Sequence, residues 1–594
     1  MERNVLIAIV LSVIVITVSF IGQSILFPSP EESEQTTQRQ AAQEQAQTEE
    51  GQTARQQPEA GETATDKTEG TVSQVSGPAG KVVPVEESLS EQKVYVETDV
   101  FRAEFTNRGA EMSSILLKKH TADGKPVEML FNRQTGRNAF ELYFGEPIYV
   151  KPVDALFNVK KPSENEVEFT RTFQVKQEDG SSGTFTLTKR YVFKPQEYLF
   201  ELQVGLQSAE NTYLPLQFGG TAYSLGFGPQ IGPEFENLNG RYSYRKFQVL
   251  TDGKRKHKNI KENQIEYVEQ STDWAAIEGK YFTAIGAPRI PQYRVMLSEK
   301  QVAGIPEANN MYFVRPVIRS SANTDVYRFY MGPKHNKQLV KYNQPDDNAF
   351  GAIGMNLDKL ISGNFLGFLQ DILKWILTTI YNVIPNYGVA IILLTLIIKI
   401  IFWPLTHKGY ESTGKMQELS PKVNELKEKY KDDTNKLNQE IGLLYKKEGV
   451  NPMGGCLPIL VQIPIFISLF WLLNTNFELR NAVFISPWVT DLSSPESIFK
   501  LPFTIPLINF SDIRLLPILF LLTQIMMSKM TQTPNSAAGG NMKMIQTMLP
   551  VIFFFVLYNM PSGLMLYWTV TNLLTAVQQI MINRKRHRQK AEEK

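Results

Sequence analysis

Disulfide chemistry is closed to this chain: its 594 residues include one cysteine, Cys456, so no intramolecular bridge can form. Histidine is nearly as scarce, with five scattered residues and no H-E-x-x-H pattern, and no G-x-x-x-x-G-K-[ST] phosphate loop occurs. These absences argue against an enzyme and leave no catalytic residue, metal site or cofactor to assign. Net charge is missing too: 62 Lys and Arg against 60 Asp and Glu give +2, and no arginine-rich patch with interleaved aromatics points to specific nucleic-acid binding. A mean hydropathy of -0.21 averages two unlike halves. Before about residue 345 the chain is polar or strand-patterned, and after it long apolar runs dominate, so at least two domains are expected.

Residues 1–27 carry Arg3 and then run apolar from Val5. The run is longer than the ~7–15 residues of a signal-peptide core and no A-x-A site follows, which favours an uncleaved membrane anchor, N-terminus in the cytoplasm, over a cleaved signal. Residues 28–91, rich in Gln, Glu, Thr, Ala and Gly with almost no aromatics, cannot offset the entropy of ordering and read as a disordered periplasmic tether. Strands take over through 92–345. Tyr198, Phe200, Leu202, Val204 and Leu206 alternate with mostly polar neighbours, and Phe101, Ala103 and Phe105 do the same, as do Val167 and Phe169. A large periplasmic β-sandwich is the economical reading. Exposed carboxylates are plentiful there, yet no pair stands out as a glycosidase's.

The remainder, 346–594, has the pattern of a multi-pass α-helical membrane protein. Residues 357–382 carry an apolar stripe, Leu357, Ile361, Phe365, Phe368, Ile372, Ile376 and Ile380, expected to lie along the outer membrane surface; a helix packed on the sandwich is the alternative. Spans are expected at 387–407, 457–473, 515–530, 545–560 and 564–582, six in all with the anchor. Between the first two, 408–448 reads as a helical hairpin: Met416, Leu419, Val423, Leu426 and Tyr430 line one arm, Leu437, Ile441 and Leu444 the other, and Pro421 suggests a break in the first. The lysine and arginine excess of this hairpin and of the tail 583–594 places both in the cytoplasm.

Sorted by depth under that topology, the polar residues of the spans fall in their inner halves: Thr395 and Lys399, Gln462, Thr523, Gln524 and Ser528, Gln546 and Thr547, and Asn572, Thr575, Gln578 and Gln579. The outer halves are bulky and apolar, as in the run holding Tyr567 and Trp568. Single Gln and Thr residues in membrane helices ordinarily make helix–helix hydrogen bonds, but a common depth suggests a polar cavity open to the cytoplasm and sealed outside by aromatics. Lys399 is the anomaly, because a charge at the centre of a membrane helix costs roughly 2.5–3.5 kcal/mol on insertion scales. It stands eight residues before His407, ~12 Å of helix, so its stem can either snorkel to the cytoplasmic boundary or charge the cavity.

Three stretches carry a resemblance: WPLT at 403–406 closing the lysine-bearing helix, NPMGGCLPILVQIPIF at 451–466, and PSGLMLYWTVTNLLTAVQQ at 561–579. Together they resemble the YidC family of membrane protein insertases in its long Gram-negative form. The resemblance implies a five-helix insertase core, a periplasmic β-supersandwich, and insertion of nascent membrane proteins alone or beside the Sec translocon without nucleotide hydrolysis. It further implies a groove charge at the position of Lys399; joined to the depth sorting, the expected substrate groove holds Lys399, Thr395, Gln462, Gln524, Asn572, Tyr567 and Trp568, with the lipid bilayer beside it and weak ribosome attraction through the hairpin and basic tail. The family's usual groove arginine is Lys399 here, which keeps the charge but not the planar fork, and its usual tyrosine is Trp568. A small-solute transporter is the rival reading, motivated by Pro458, Pro464 and the membrane charge. Ser562, in a Pro-Ser-Gly triplet, raises an intramembrane serine protease, but no histidine falls within the expected spans.

Overall fold

The computed structural model describes residues 81–592, apart from 123, 131–136, 177–181, 210–212, 215, 229–243, 262–263, 269–270, 291, 303–304, 362–365, 451–456, 506–509, 532–547 and 549. The expected anchor, most of the tether, Cys456, Gln546 and Thr547 lie outside the described residues.

The strand-patterned half folds as antiparallel sheets around one aromatic core. A ten-stranded sheet has Leu199–Ser208 paired to Ser182–Phe193 on one side and to Ala322–Pro333 on the other. A five-stranded sheet is built around Ile305–Pro316, and a four-stranded sheet holds Phe101–Thr106 beside Glu111–Ala122. The alternation at 200–206 is realised as written: Phe200, Leu202, Val204 and Leu206 are buried while Glu201, Gln203 and Gly205 stay half-covered. Phe329 joins the sheets, with its ring 5.9 Å from Phe200, 6.0 Å from Phe313 of the five-stranded sheet and 4.6 Å from Phe140. Phe101 of the four-stranded sheet meets Phe200 edge-on at 6.4 Å.

The helix expected from 357 begins ten residues later, as α1, Gly367–Val383. Leu357–Leu360 is instead a short 3-10 turn whose two leucines are buried in the sheet core, with Asn356 in the left-handed region at φ 52° and its carbonyl accepting from Trp274 Nε1 at 3.2 Å. The helix itself packs on the helical bundle rather than on the sandwich: Leu373 and Leu377 are buried there, while Phe368, Ile372 and Trp375 are exposed.

Helix α2, Tyr387–Glu418, starts where Asn386 Oδ1 accepts from the Val389 amide, and it runs past the expected boundary at 407 for another 11 residues. The expected hairpin therefore begins as a straight continuation of α2. It breaks at Leu419, and α3, Ser420–Lys429, and α4, Thr434–Lys447, follow, packed through Val423, Leu437 and Ile441. After them come α5, Leu457–Thr475, and α6, Leu515–Thr531, then a helical stretch at 550–557, and α7, Ser562–Glu592. The last continues through the expected tail, because nothing after Gly563 in that sequence is a glycine or proline that could stop it. Among the described residues α2 is the one helix long and apolar enough to cross a membrane by length and composition; Gln462–Thr475 and Leu515–Met530 are shorter apolar helices.

The connection between α5 and α6 folds back as a lid on the bundle. Leu479, Val489 and Leu492 are fully buried with Leu394, Leu469 and Leu564. Gly388 admits the ring of Phe484 so closely that a β-carbon would collide with it. The same connection reaches the sheets through Phe477, whose ring lies 4.9 Å from Phe282 and 5.3 Å from Tyr281.

Candidate functional site

The polar residues of the bundle converge on one helix, α7. Lys399 Nζ of α2 donates to Thr575 Oγ1 at 2.5 Å, and Gln578 Nε2, about one turn on along α7, donates to Thr406 Oγ1, two turns on along α2, at 3.2 Å. From α6, Gln524 Oε1 accepts from Asn572 Nδ2 at 2.8 Å and Thr523 Oγ1 accepts from the same amide at 3.3 Å. From α5, Gln462 Nε2 donates to the Tyr567 hydroxyl. Helical spacing contributes: 568, 571/572, 575 and 578/579 recur every three to four residues, so Asn572, Thr575 and Gln578 share one stripe of α7, while Tyr567 beside it meets α5.

Six of the seven expected groove residues engage across the bundle, five of them through polar pairs. Thr395 is the exception. It is buried, but its hydroxyl donates to Ile391 O at 2.6 Å one turn back in its own helix, so it adds no polar link to a neighbour. Trp568 lies one turn from the polar pairs in an aromatic group, with its ring 4.5 Å from Phe466, 5.1 Å from Phe520 and 6.2 Å from Phe553. Those contacts, with Leu469, Leu472 and Tyr567, pack the half of the bundle nearer the α5–α6 lid. Sequence reasoning gave Thr406 no role, although WPLT is its motif. The signal was available in its position one turn above the helix segment rich in charge.

Lys399 differs from its polar company in carrying charge. Among the described residues no carboxylate stands within ion-pair distance of it, and its one hydrogen-bond acceptor is the Thr575 hydroxyl. The Gln579 carbonyl oxygen is buried with no hydrogen-bond partner among the described residues, so the seam also holds spare acceptor capacity. Beside it, Leu396, Ile400, Ile401 and Leu405 of α2 and Leu573 and Val577 of α7 are exposed, which sets a wholly apolar surface against the polar seam. Ser562 is accounted for structurally: its hydroxyl lies against Asp491 O at 2.5 Å and Ser494 O at 2.9 Å, buried, and holds the lid to the start of α7.

Residues 379–590 match the family described as 60Kd inner membrane protein, and residues 93–376 match the YidC periplasmic domain. A protein of Treponema denticola named membrane protein insertase YidC is 38% identical over 98% of this chain and 99% of its own length. One of the same name from Treponema pallidum is 36% identical over 99% of this chain and 100% of its own. Among solved structures, a crystal structure of an active YidC insertase with its first transmembrane domain resolved covers 84% of this chain and 94% of that chain, at 18% identity and a TM-score of 0.33.

Proposed function

The chain belongs to the YidC family of membrane protein insertases, inner-membrane proteins with a periplasmic domain, and from that premise we propose how its bundle handles a client. The polar or acidic flank of a nascent membrane protein enters the inner half of the bundle and is held near Lys399. Its apolar segment meanwhile lies along the lipid-facing surfaces of α2, α5 and α7. The flank then faces a thinner hydrocarbon barrier, and burial of the client's apolar helix, at about 25 cal/mol per Å², drives its release into lipid. A membrane potential assists charged flanks by ~2.3 kcal/mol per charge per 100 mV. No nucleotide is consumed.

In this reading residues 1–27 anchor the chain, 28–91 tether the sheet domain of 92–345 in the periplasm, and 346–594 form the insertase core, with six spans and both termini in the cytoplasm. The arms α3 and α4 and the basic end of α7 lie on the cytoplasmic side, where they attract ribosomes weakly. The core works alone or beside the Sec translocon.

The observation that carries the reading is the uncountered Lys399 ammonium beside an exposed apolar face. A buried structural charge is ordinarily paired, so one held only by a hydroxyl is suited to a transient counter-charge. Photocrosslinkers at Gln462, Gln524 and Trp568 should capture ribosome-bound nascent chains, with polar flanks favouring the first two. Capture only from Ile400, on the lipid-facing side, would refute the seam as the client's path.

A further inference from the structure

Within the α5–α6 connection, Phe499–Ile505 and Phe510–Ile513 pair as an antiparallel hairpin. Phe499 and Ile513 stand directly opposite each other and share one face, and the register shifts between Lys500 and Ile505, where Leu501 and Phe503 lie. Apolar side chains are bare here: Phe499 is 57% and Phe503 61% exposed, with Ile513 exposed opposite Phe499. The other face carries Lys500 opposite Asp512. Grouped exposed apolar side chains backed by charge mark an interaction surface.

The root of the hairpin fixes where that surface lies. Ile513 is two residues before Leu515, the first residue of α6. Glu496 Oε1 accepts from the Leu516 amide at 2.7 Å and Oε2 from Trp488 Nε1 at 3.1 Å, so a carboxylate from the hairpin's base caps the helix. Ser497 Oγ donates to Asp512 Oδ1 at 2.8 Å, and Arg514 sits 5.0 Å over the Tyr558 ring while Nη1 donates to Tyr558 O at 2.8 Å. A cation and an aromatic at a helix end are the groups that settle at a bilayer's headgroup level. The hairpin is thus bonded to the first turn of α6, an apolar helix whose start lies outside in the topology proposed above.

We propose that this face docks on the bilayer itself: Phe499, Leu501, Phe503 and Ile513 lie in the headgroup region of the outer leaflet beside α6, while Lys500 and Asp512 face water. The hairpin acts as a keel that fixes the outer ends of α5 and α6 relative to the membrane plane. This does not depend on how Lys399 is used.

The single cysteine makes the test direct. In the full chain carrying Cys456→Ser, checked for retained insertion activity, nitroxide labels are placed singly through Phe499→Cys, Phe503→Cys and Lys500→Cys. The protein is reconstituted in phospholipid liposomes, and collision rates with oxygen and with a water-soluble nickel chelate are compared. Docking requires oxygen-to-nickel ratios at 499 and 503 about threefold or more above that at 500, since oxygen partitions into the acyl boundary. Equal ratios at all three positions put the face in water and overturn the proposal. So does low access to both reagents at 499 and 503, which assigns the face to another protein segment. Dipolar broadening that vanishes on dilution with unlabelled protein overturns it too, in favour of a second copy.

Discussion

Two lysines, Lys189 buried in the sheet domain and Lys399 half-buried in the bundle, are held in opposite ways. Lys189, in the sheet domain, has no exposed surface; its ammonium donates to Gly109 O at 3.0 Å and Phe140 O at 2.7 Å, and the carboxylates of Glu111 and Glu141 act on it. Burial pushes its pKa down to about 8 against the pull of those carboxylates, and pushes Glu111 up to about 7. Lys399, in the bundle, has one hydroxyl and, among the described residues, no carboxylate within ion-pair distance. The first charge is built into a fold and fully answered within it. In the proposed mechanism the second awaits the counter-charge of a client's flank, and that difference would separate a structural charge from a working one.

The largest effect should come from removing the structural charge. Lys189→Met strands two buried carbonyls and leaves Glu111 without its nearby cation, so the sheet domain should lose ~3–5 kcal/mol, read as the urea midpoint of the β circular dichroism in detergent-solubilised full chain. Lys399→Met should shift the same midpoint by less than about 1 kcal/mol. Equal losses would erase the distinction.

His120 tests what an unanswered charge costs inside the sheet region. It sits where that region meets the lid, its ring 5.4 Å from Phe282 and 6.4 Å from Phe477, and burial pushes its pKa down from 6.5 to about 4; Glu478 opposes that shift while Lys374 and Lys119 reinforce it. Between those values the unfolded chain binds more protons than the folded one, so this contribution is present at neutral pH and lost as pH falls from about 6.5 to about 4. A loss of ~2–3 kcal/mol is expected, measured as the difference in urea midpoint between pH 7 and pH 4.5, and His120→Phe should flatten it.

How much of this contrast was legible beforehand depends on which physics it rests on. Alternation at 200–206 named the buried faces because a pleated strand has only two sides. Lys399 stood out because a charge in an apolar run is costly whatever surrounds it. Partner identity was not legible: Thr575 and Asn572 are 176 and 48 residues from the side chains they meet, and a depth ranking says which residues share a level but not which touch. Leu357 and Ile361 keep helical spacing with Phe368, yet serve a different core, since periodicity records that a face is apolar and not what covers it. The lid was missed for the same reason, as Leu479, Val489 and Leu492 follow no period at all. Lys189 could not be singled out, because in the strand Ser182–Phe193 it is one lysine among alternating residues and only the fold encloses it.

A smaller but more decisive effect is expected at Lys399 itself. Lys399→Ala should lower insertion of clients with acidic translocated flanks about tenfold, ~1.4 kcal/mol, and leave neutral-flanked clients nearly unchanged, whereas Lys399→Arg should insert both normally. Insertion of radiolabelled short membrane proteins into proteoliposomes reads this out. Equal insertion by all three proteins would remove the electrostatic part of the mechanism and make Lys399 as structural as Lys189.

The smallest change isolates what holds the working charge in place. Thr575→Val keeps the shape of the α7 side chain and removes the acceptor of the Lys399 hydrogen bond, a kind of link worth ~0.6 kcal/mol on average between membrane helices. Stability should hardly move. The freed stem can then extend towards the cytoplasmic boundary ~12 Å away, so insertion of acidic-flanked clients should fall about two- to threefold, and Thr575→Ser should restore it. A Thr575→Val defect as deep as that of Lys399→Ala would mean that the hydroxyl meets the client directly, and that the charge and its acceptor act on the flank as one unit.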